Sequence, residues 1–452
     1  MRRCAARVDL ESFSFTMIKR AIGIAMAFIG VIVGAGFASG QEAMQYFVAF
    51  GNEGLWGVAV AAALMMIAGI AMLQLGSYFQ AEEHTAVYGK VSGPFISRVL
   101  DWSTLLTLFS IGFVMFAGGG ANLEQQFGIS TWIGGTIMLV LVLLTGLLDV
   151  DRVTTVIGLV TPFIIVFIVA ATVITIVQSD VQLSTAHDFA VNNVDTTLPN
   201  WWVSALNYTG LNAMCAVSMS IVIGGNFLDS RAVGWGGLMG GFVYLLLLAL
   251  LVVSLYFVAP EVNGSDLPVL MLINEISPAL SYVMTIIVFG MIFNTAVGMF
   301  YAMAKRLTRD KRENFYKVYA TACIIGFILS FVGFKALVGW VYPILGYLGL
   351  LMIAVMAWGW ISKRSDLTEE ADRRERALVL VQRKLDPRER FTKKNQRELR
   401  RLAKASNMKT EDFIDAIAEE IHDELEQDDE LEDYDREAPE PSVVYVEHTK
   451  PE

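Results

Sequence analysis

The stretch Val31-Ile32-Val33-Gly34-Ala35-Gly36-Phe37-Ala38-Ser39-Gly40-Gln41-Glu42 lies in the first long apolar segment of the chain. Three glycines and a serine interrupt that segment, and a glutamate follows in the same apolar surroundings. A helix that crosses a bilayer must satisfy its own backbone hydrogen bonds, because lipid offers no water to replace them. The stretch therefore predicts a membrane helix that is broken where protein or a water-filled cavity receives the freed groups.

The composition is that of a membrane protein. The chain has 452 residues, of which 55% are hydrophobic, and a soluble protein of this length cannot bury so much apolar surface. The three cysteines, Cys4, Cys215 and Cys323, are scattered and odd in number, so they indicate neither a disulfide framework nor a metal site. No small-residue cleavage site follows the first apolar run, which predicts a retained span rather than a signal peptide.

Ten segments are long enough to cross about 30 Å of hydrocarbon. The predicted spans are 18–50, 54–80, 98–127, 131–148, 152–178, 200–228, 232–259, 279–305, 315–333 and 336–362. Residues 1–17 are expected to form an irregular leader, and Met17 is a second plausible start. Residues 363–452 form a charged tail. The expected fold class is an all-α polytopic membrane protein with a transport domain over 18–362.

The distribution of Lys and Arg predicts the orientation. With the N-terminus inside, the inner connections are rich in Lys and Arg, and the outer ones are acidic with Lys335 as their only base. We therefore expect a multi-pass protein of the plasma membrane with both termini in the cytoplasm. The outer connections 179–199 and 260–278 are long enough for short helices. The apolar segment Leu267–Ile273 is expected to be re-entrant, to cap the outer vestibule, or to lie flat in the interface.

An odd number of spans in each half makes the two halves inverted repeats. Secondary transporters with such repeats place their site at the repeat interface and use interrupted helices at corresponding positions. Span 6 contains Asn207, Thr209, Gly210 and Asn212 in the middle of an apolar segment. We therefore predict that helices 1 and 6 are both interrupted.

The motif from Gly34 to Glu42, together with the ten-span pattern, resembles the YkvI-type permeases of the amino acid–polyamine–organocation superfamily. More distantly, Val33-Gly34-Ala35-Gly36-Phe37 is similar to the unwound first helix of LeuT-type transporters. The resemblance covers residues 18–362. It implies a LeuT-like fold of two inverted five-helix repeats, with a site for an amino acid or similar small organic solute between helices 1, 3, 6 and 8.

The predicted substrate-binding residues lie at the two interruptions. They are Gly34, Gly36, Phe37, Ser39, Gly40, Tyr208, Thr209, Gly210 and Asn212. The amide groups freed around Ser39–Gln41 suit a carboxylate, because they carry the positive end of a helix dipole. The alternative is that the glycines only form a small-residue packing face between helices.

We also expect this region to bind a coupling ion, and the sequence does not distinguish Na⁺ from H⁺. Carbonyl groups around Gly30 and Val33 can face Na⁺. The resemblance to LeuT-type sodium transporters adds Thr295, with Asn294 beside it, although an interhelical hydrogen bond explains that pair equally well. Glu42 has two open roles, as a proton carrier or as a structural cap on the second half-helix.

The tail divides into a basic part, 363–409, and an acidic part, 410–452. Leu399 to Ile421 has helical periodicity with a break at Asn407–Asp412, and 423–440 is expected to be disordered. We expect a solvated tail; binding to anionic lipid or to a cytoplasmic regulator is the alternative. A homodimer stays open, and nothing indicates nucleic-acid binding.

The sequence lacks the residues that a membrane enzyme would need within its spans. A membrane hydrolase needs a nucleophile with a base, or metal ligands, within the spans. The histidines His84, His187, His422 and His448 all lie outside the middle of the predicted spans. We therefore expect a protein that is not an enzyme and that has no cofactor beyond a coupling ion: a secondary active transporter. The alternative is a ligand sensor or receptor on a transporter scaffold.

Overall fold

The structure is a computed structural model that describes residues 2–147, 161–178, 183–309, 311–386, 388, 390–426 and 436. Helices and their connections make up this part of the chain, and it contains no strand. The helices are α1 (Arg2–Ile32), α2 (Ala35–Ser39), α3 (Gln41–Tyr46), α4 (Asn52–Phe79), α5 (His84–Val91), α6 (Pro94–Phe127), α7 (Thr131–Thr145), α8 (Thr161–Gln178), α9 (Leu183–Asn193), α10 (Trp201–Gly225), α11 (Ser230–Phe257), α12 (Ala259–Val262), α13 (Pro268–Ile276), α14 (Pro278–Leu307), α15 (Phe315–Leu329), α16 (Phe334–Ser362), α17 (Arg364–Leu385), α18 (Lys393–Ala405) and α19 (Thr410–Glu426).

The helices follow the predicted spans. Among the described residues, seven helices are long and apolar enough to cross a membrane, and α7 and α8 contribute two shorter apolar helices. Together with the broken first element α1–α3 they are consistent with the ten predicted spans, and they confirm the all-α polytopic fold. The start of the predicted fifth span lies outside the described residues.

The N-terminal leader is not set apart from the first span. Helix α1 begins at Arg2 and runs without a break to Ile32, so the expectation of an irregular leader at 1–17 is wrong for the described residues. The reason is local, because residues 2–17 contain neither glycine nor proline and nothing stops the helix from extending.

Two groups of helices form the core. Helices α1, α4, α10 and α11 pack on one another, and so do α6, α7, α14 and α15. In terms of spans the first group is 1, 2, 6 and 7, and the second is 3, 4, 8 and 9. Each group therefore takes equivalent spans from the two halves of the chain, which is the arrangement that inverted five-helix repeats produce.

Helix α10, the sixth span, is continuous from Trp201 to Gly225, so the predicted interruption of helix 6 is wrong. Its polar side chains bond to the backbone one turn earlier instead of marking a break. The Thr209 hydroxyl donates to Ala205 O at 2.9 Å, and the Asn212 amide donates to Tyr208 O at 3.0 Å. A Cβ on Gly210 would lie 2.2 Å from Gly346 O. Gly210 is thus a crossing point with α16, and small residues at such points let two backbones approach closely.

The predicted short helices are present in the long connections. Helix α9 lies in 179–199, α13 lies in 260–278, and α12 begins one residue before that connection, at Ala259. Helix α13 packs against α2 and α3, next to the break in the first span. Of the three expectations for this apolar segment, the structure therefore supports a cap.

The tail is folded against the core, so the expectation of a solvated tail is wrong. Helices α17, α18 and α19 pack on one another around apolar side chains that include Leu228, which lies between α10 and α11. The break between α18 and α19 confirms the one predicted at Asn407–Asp412. Residues 423–426 belong to α19, and most of the stretch expected to be disordered lies outside the described residues.

We call the side of the molecule that carries the tail helices the tail face, and the side that carries α9, α12 and α13 the opposite face.

Candidate functional site

The first span is interrupted at two glycines. Helix α1 ends at Ile32, and Gly34 is extended (φ −103°, ψ −166°) before the short helix α2 begins. Helix α2 ends at Gly40, whose φ of +80° lies in the left-handed region. Gly34 and Gly40 thus bound a separate short helix within the first span, and residues 35–46 are buried.

Gly40 meets two requirements that only glycine satisfies together. Its positive φ disfavours any residue with a Cβ. A Cβ would also lie 2.7 Å from Val269 Cγ2 and 3.2 Å from the Val269 amide nitrogen at the start of α13. The cap α13 therefore closes over the break on the opposite face of the molecule.

The break frees a backbone carbonyl at the end of α1. The Gly34 amide donates to Ile32 O at 2.9 Å and not to Gly30 O, which a continuous helix would use. Gly30 O consequently loses its normal donor. A freed carbonyl of this kind can serve as a ligand for a cation.

Helix α14 approaches the first span at this point. A Cβ on Gly34 would lie 4.0 Å from Thr295 Oγ1, so two predicted site residues from distant parts of the chain are neighbours. Helix α14 packs on α2 but not closely on α1, and one turn nearer the tail face a Cβ on Gly30 of α1 or on Gly298 of α14 meets no atom within 4 Å. The tail-face half of the first span therefore does not pack closely on α14, and we call this unpacked region between the two helices, at Gly30 and Gly298, the gap.

The Glu42 carboxyl folds back over the break. A Cβ on Gly36 would lie 1.6 Å from Glu42 Oε1, so this oxygen occupies the space that a side chain at position 36 would need. Glu42 is 7% exposed, and among the described residues no Lys, Arg or His forms an ion pair with it. The Tyr208 hydroxyl lies near the Glu42 carboxyl.

The first backbone amide of α3, that of Gln41, donates to the Ser39 hydroxyl and not to Glu42. Ser39 Oγ accepts from the Gln41 amide at 3.2 Å and donates to Gly36 O at 2.8 Å. The Ser39 hydroxyl is therefore used within the break, and Glu42 stands in the first turn of α3.

Several aromatic side chains lie near the Glu42 carboxyl or pack on those that do. The Tyr208 ring lies 5.3 Å from the Tyr46 ring and 4.9 Å from the Phe47 ring, and the Phe37 ring lies 6.2 Å from the Tyr244 ring. Tyr244 is buried, and its hydroxyl lies near that of Tyr208 but makes no hydrogen bond of normal geometry within the described residues. Sequence reasoning missed Tyr244; its signal was a lone tyrosine in the middle of the apolar seventh span.

Two further buried amides lack partners. Both polar atoms of the Asn122 side chain, on α6, and Oδ1 of Asn294, on α14, are buried without a hydrogen bond in the described part of the chain. An unsatisfied buried polar group costs about 1–3 kcal/mol. Buried polar groups left in this condition are candidates to bind a ligand.

The four predicted site residues of span 6 do not all contact the first span. Thr209 also reaches Ala61 O of α4 at 3.2 Å, and Gly210 meets α16. Tyr208 is the residue of this set that contacts the first span, and Asn212, one turn later, is half-buried. The structure thus brings together the first-span residues, Tyr208 and Thr295, and directs Thr209 and Gly210 elsewhere.

The chemistry of this cluster is specific. It combines one carboxyl, several tyrosine hydroxyls, aromatic faces and freed backbone groups. A carboxylate and aromatic faces both attract a cation or an ammonium group. Within the described residues no group of three or more His, Cys, Asp or Glu side chains could hold a metal ion.

No protein-family model matches the chain. It is similar to the membrane protein YkvI of Bacillus subtilis (strain 168), with 25% identity over 333 residues, which cover 74% of this chain and 94% of YkvI. It is also similar to the protein YyaD of the same organism, with 21% identity over 336 residues, which cover 74% of this chain and 96% of YyaD. The predicted resemblance to YkvI-type proteins is confirmed.

Two solved structures share the fold. The inward-facing conformation of Mhp1 matches with a TM-score of 0.52 and 13% identity, covering 93% of this chain and 95% of Mhp1. MhsT in complex with L-phenylalanine matches with a TM-score of 0.56 and 13% identity, covering 88% of this chain and 96% of MhsT. The chain therefore has the LeuT-like fold.

Proposed function

We propose that this chain, a membrane protein with the LeuT-like fold and a broken first span, is a secondary active transporter of an amino acid or a related small organic solute. The solute binds beside the break, between Gly34 and Glu42 of the first span, Tyr208 of α10 and Tyr244 of α11. Alternating access then proceeds by movement of one helix group against the other.

The observation that carries the proposal is the buried cluster at the break. A carboxyl without a basic partner lies near a buried tyrosine hydroxyl, that of Tyr244, which makes no hydrogen bond of normal geometry within the described residues. Ionisable residues in membrane spans face an interior or a cavity and mark function. MhsT, which shares the fold, was solved with L-phenylalanine, and this favours an amino acid as the first class of solute to test.

Glu42 favours solutes that carry an ammonium group. It is the acidic residue at the break, and its neighbours are tyrosines rather than Lys or Arg. An ammonium group would gain both a charged hydrogen bond and contact with aromatic faces. The same carboxyl is the candidate for H⁺ coupling, and the oxygens of Gly30, Val33, Asn294 and Thr295 are the candidates for Na⁺.

The proposal is tested by thermal unfolding of the purified protein with a panel of amino acids and amines. The panel is measured with and without Na⁺, and at mildly acidic and mildly alkaline pH. A solute that binds the folded state raises the unfolding temperature, by the equivalent of about 2.7 kcal/mol at a hundredfold excess over Kd. Solutes that stabilise the protein are then offered to proteoliposomes, and uptake is measured under Na⁺ and pH gradients.

The panel includes matched solutes that differ only in the ammonium group, such as an amino acid and its N-acetyl derivative. We expect the free amine to stabilise the protein and the acetylated form to have little effect. Binding without uptake under any gradient would favour the sensor alternative. Neither stabilisation nor uptake across the panel would contradict both functions.

A further inference from the structure

Helix α17 of the tail is joined to the core through one buried arginine. Arg374 is 0% exposed. It donates to Ser77 O at 2.9 Å and to Tyr78 O at 3.1 Å, in the last turn of α4. Carbonyl groups at the end of a helix lack intrahelical donors and attract cations. The guanidinium therefore completes the end of α4 at the tail face.

Neighbouring contacts reinforce this attachment. The Asn407 amide donates to Tyr78 O at 2.5 Å, and the Arg374 guanidinium also donates to Asn407 Oδ1 at 3.0 Å. The Glu370 carboxyl holds the guanidinium from the other side at 3.1 Å. Burial lowers the pKa of Arg374, and Glu370 opposes that shift. The tail thus binds α4 through a connected polar network, not through isolated surface contacts.

Two more sets of contacts reach α11 and α1. Arg231, at the start of α11, pairs with Asp372 and Glu375 of α17. Arg20 of α1 pairs with Glu420 of α19. An exposed ion pair contributes only about 0–1 kcal/mol, but here the pairs accompany the buried arginine and the apolar contact of Leu228 with the tail.

These contacts converge on a single group of helices. The tail holds α1, α4 and α11, and the connection before α11, all from the group formed by spans 1, 2, 6 and 7; it also packs on α16, which runs directly into α17. Helix α1 is also the helix that borders the gap at Gly30 and Gly298. Arg20 precedes Gly30 by ten residues on the same helix, a distance of about 15 Å.

We propose that the tail helices form a latch. They hold the tail-face half of the first span against α11 and away from α14, and so keep the gap open on the tail face. Release of the latch lets α1 move toward α14 and close that gap. The tail therefore sets the conformational balance of the core, and whatever displaces it regulates the protein. This conclusion does not depend on which solute is bound or whether one is transported.

The latch is tested by cross-linking across the gap in the full-length protein. Native cysteines are removed (Cys4→Ser, Cys215→Ser, Cys323→Ala), and reporters are placed as Gly30→Cys and Gly298→Cys, where a Cβ meets no neighbour. The latch is weakened by Arg20→Gln with Arg231→Gln, and in a second variant by Arg374→Met. The matched control is Arg376→Gln, whose partner Glu398 lies within the tail. The rate of disulfide formation is measured, and hydrogen exchange at Tyr78–Gln80 reports whether the tail has left α4.

We expect faster exchange at Tyr78–Gln80 and at least about a fivefold faster cross-link in the latch variants, the lower end of typical coupling between sites. The Arg376→Gln control should match the parent in both measurements. Faster exchange with an unchanged cross-linking rate would overturn the latch, because the tail would then leave without moving α1. Unchanged exchange in both latch variants would also overturn it, because the charged contacts would not be what holds the tail.

Discussion

At the residue scale, the break in the first span depends on glycines that do different things. Gly40 supplies a left-handed backbone and room for α13, and Gly34 supplies an extended link and a close neighbour in Thr295. Gly36 supplies space for a carboxyl that comes from six residues later in the chain. A single motif thus combines a turn, an interhelical contact and a recess for Glu42.

Gly36→Ala tests the recess. The new methyl group would occupy the position of Glu42 Oε1, and the flexible carboxyl would have to move while the backbone stays in place. We expect the stabilisation by an amine-bearing solute to fall by at least about 1.4 kcal/mol, a tenfold loss of affinity, with the unfolding temperature without solute nearly unchanged. Thermal unfolding with a solute titration measures both quantities. Gly23→Ala is the control, because a Cβ there meets no neighbour; equal affinity in the two variants would exclude Gly36 and Glu42 from the site.

Thr295→Val tests the Na⁺ alternative. Valine keeps the shape of threonine and removes the one hydroxyl that faces Gly34. If Na⁺ binds between the freed carbonyls and this hydroxyl, its apparent affinity should fall about tenfold, or ~1.4 kcal/mol. The measurement is the unfolding temperature as a function of Na⁺ concentration, with choline as the replacement cation.

The control for that experiment lies on the same helix. Thr285 is buried, and its hydroxyl donates to Ser281 O at 2.8 Å within α14, so Thr285→Val should leave the response to Na⁺ unchanged. A Thr295→Val variant with the parental response would remove Na⁺ from this position and leave H⁺ coupling through Glu42 as the remaining alternative.

At the scale of the helices, the sequence predicted the ten spans, the first break and the cap, because each depends on a local pattern of apolar residues and glycines. The predicted break in α10 was wrong, because the polar residues and the glycine in the middle of that span do not interrupt the helix. Asn207 donates to Pro343 O at 2.8 Å, and Gly210 packs on α16. Those partners are more than 130 residues away in the chain, so polarity within one span cannot distinguish a break from a crossing.

Gly349→Ala tests this crossing. A Cβ on Gly349 would lie 1.9 Å from Gly210 O, a backbone atom that cannot move without separating α10 from α16. Overpacking of this kind costs about 1–3 kcal/mol, and we expect a clearly lower unfolding temperature. Gly298→Ala is the matched control, since alanine there meets open space in the middle of a helix and should be neutral or slightly stabilising. Equal stability of the two variants would contradict the crossing.

At the scale of the whole molecule, the main error concerned the tail. Its charge pattern is that of a solvated segment, and of its helices only α18 and α19 were visible, through the periodicity of 399–421. The docking of the tail on the core was not visible in the sequence. It involves a buried arginine, Arg374, that contacts the end of α4, almost 300 residues earlier in the chain. Arg374 has the same appearance in the sequence as the exposed basic residues around it.

The attachment makes a separate prediction about stability. Removing one partner of a buried ion pair costs about 3–5 kcal/mol, because the other charge is left uncompensated, whereas replacing both partners by apolar residues costs far less. We expect Arg374→Met to accelerate hydrogen exchange in the tail core around Phe413 and Ile417, and the pair Arg374→Met with Glu370→Leu to restore much of the protection. Exchange measured on both variants and on Glu370→Leu alone completes a double-mutant cycle. If the effects of the two substitutions are additive, Arg374 holds the tail through the carbonyls of α4 alone. A coupling energy above about 0.5 kcal/mol would mean that Glu370 helps to hold the guanidinium at the end of that helix.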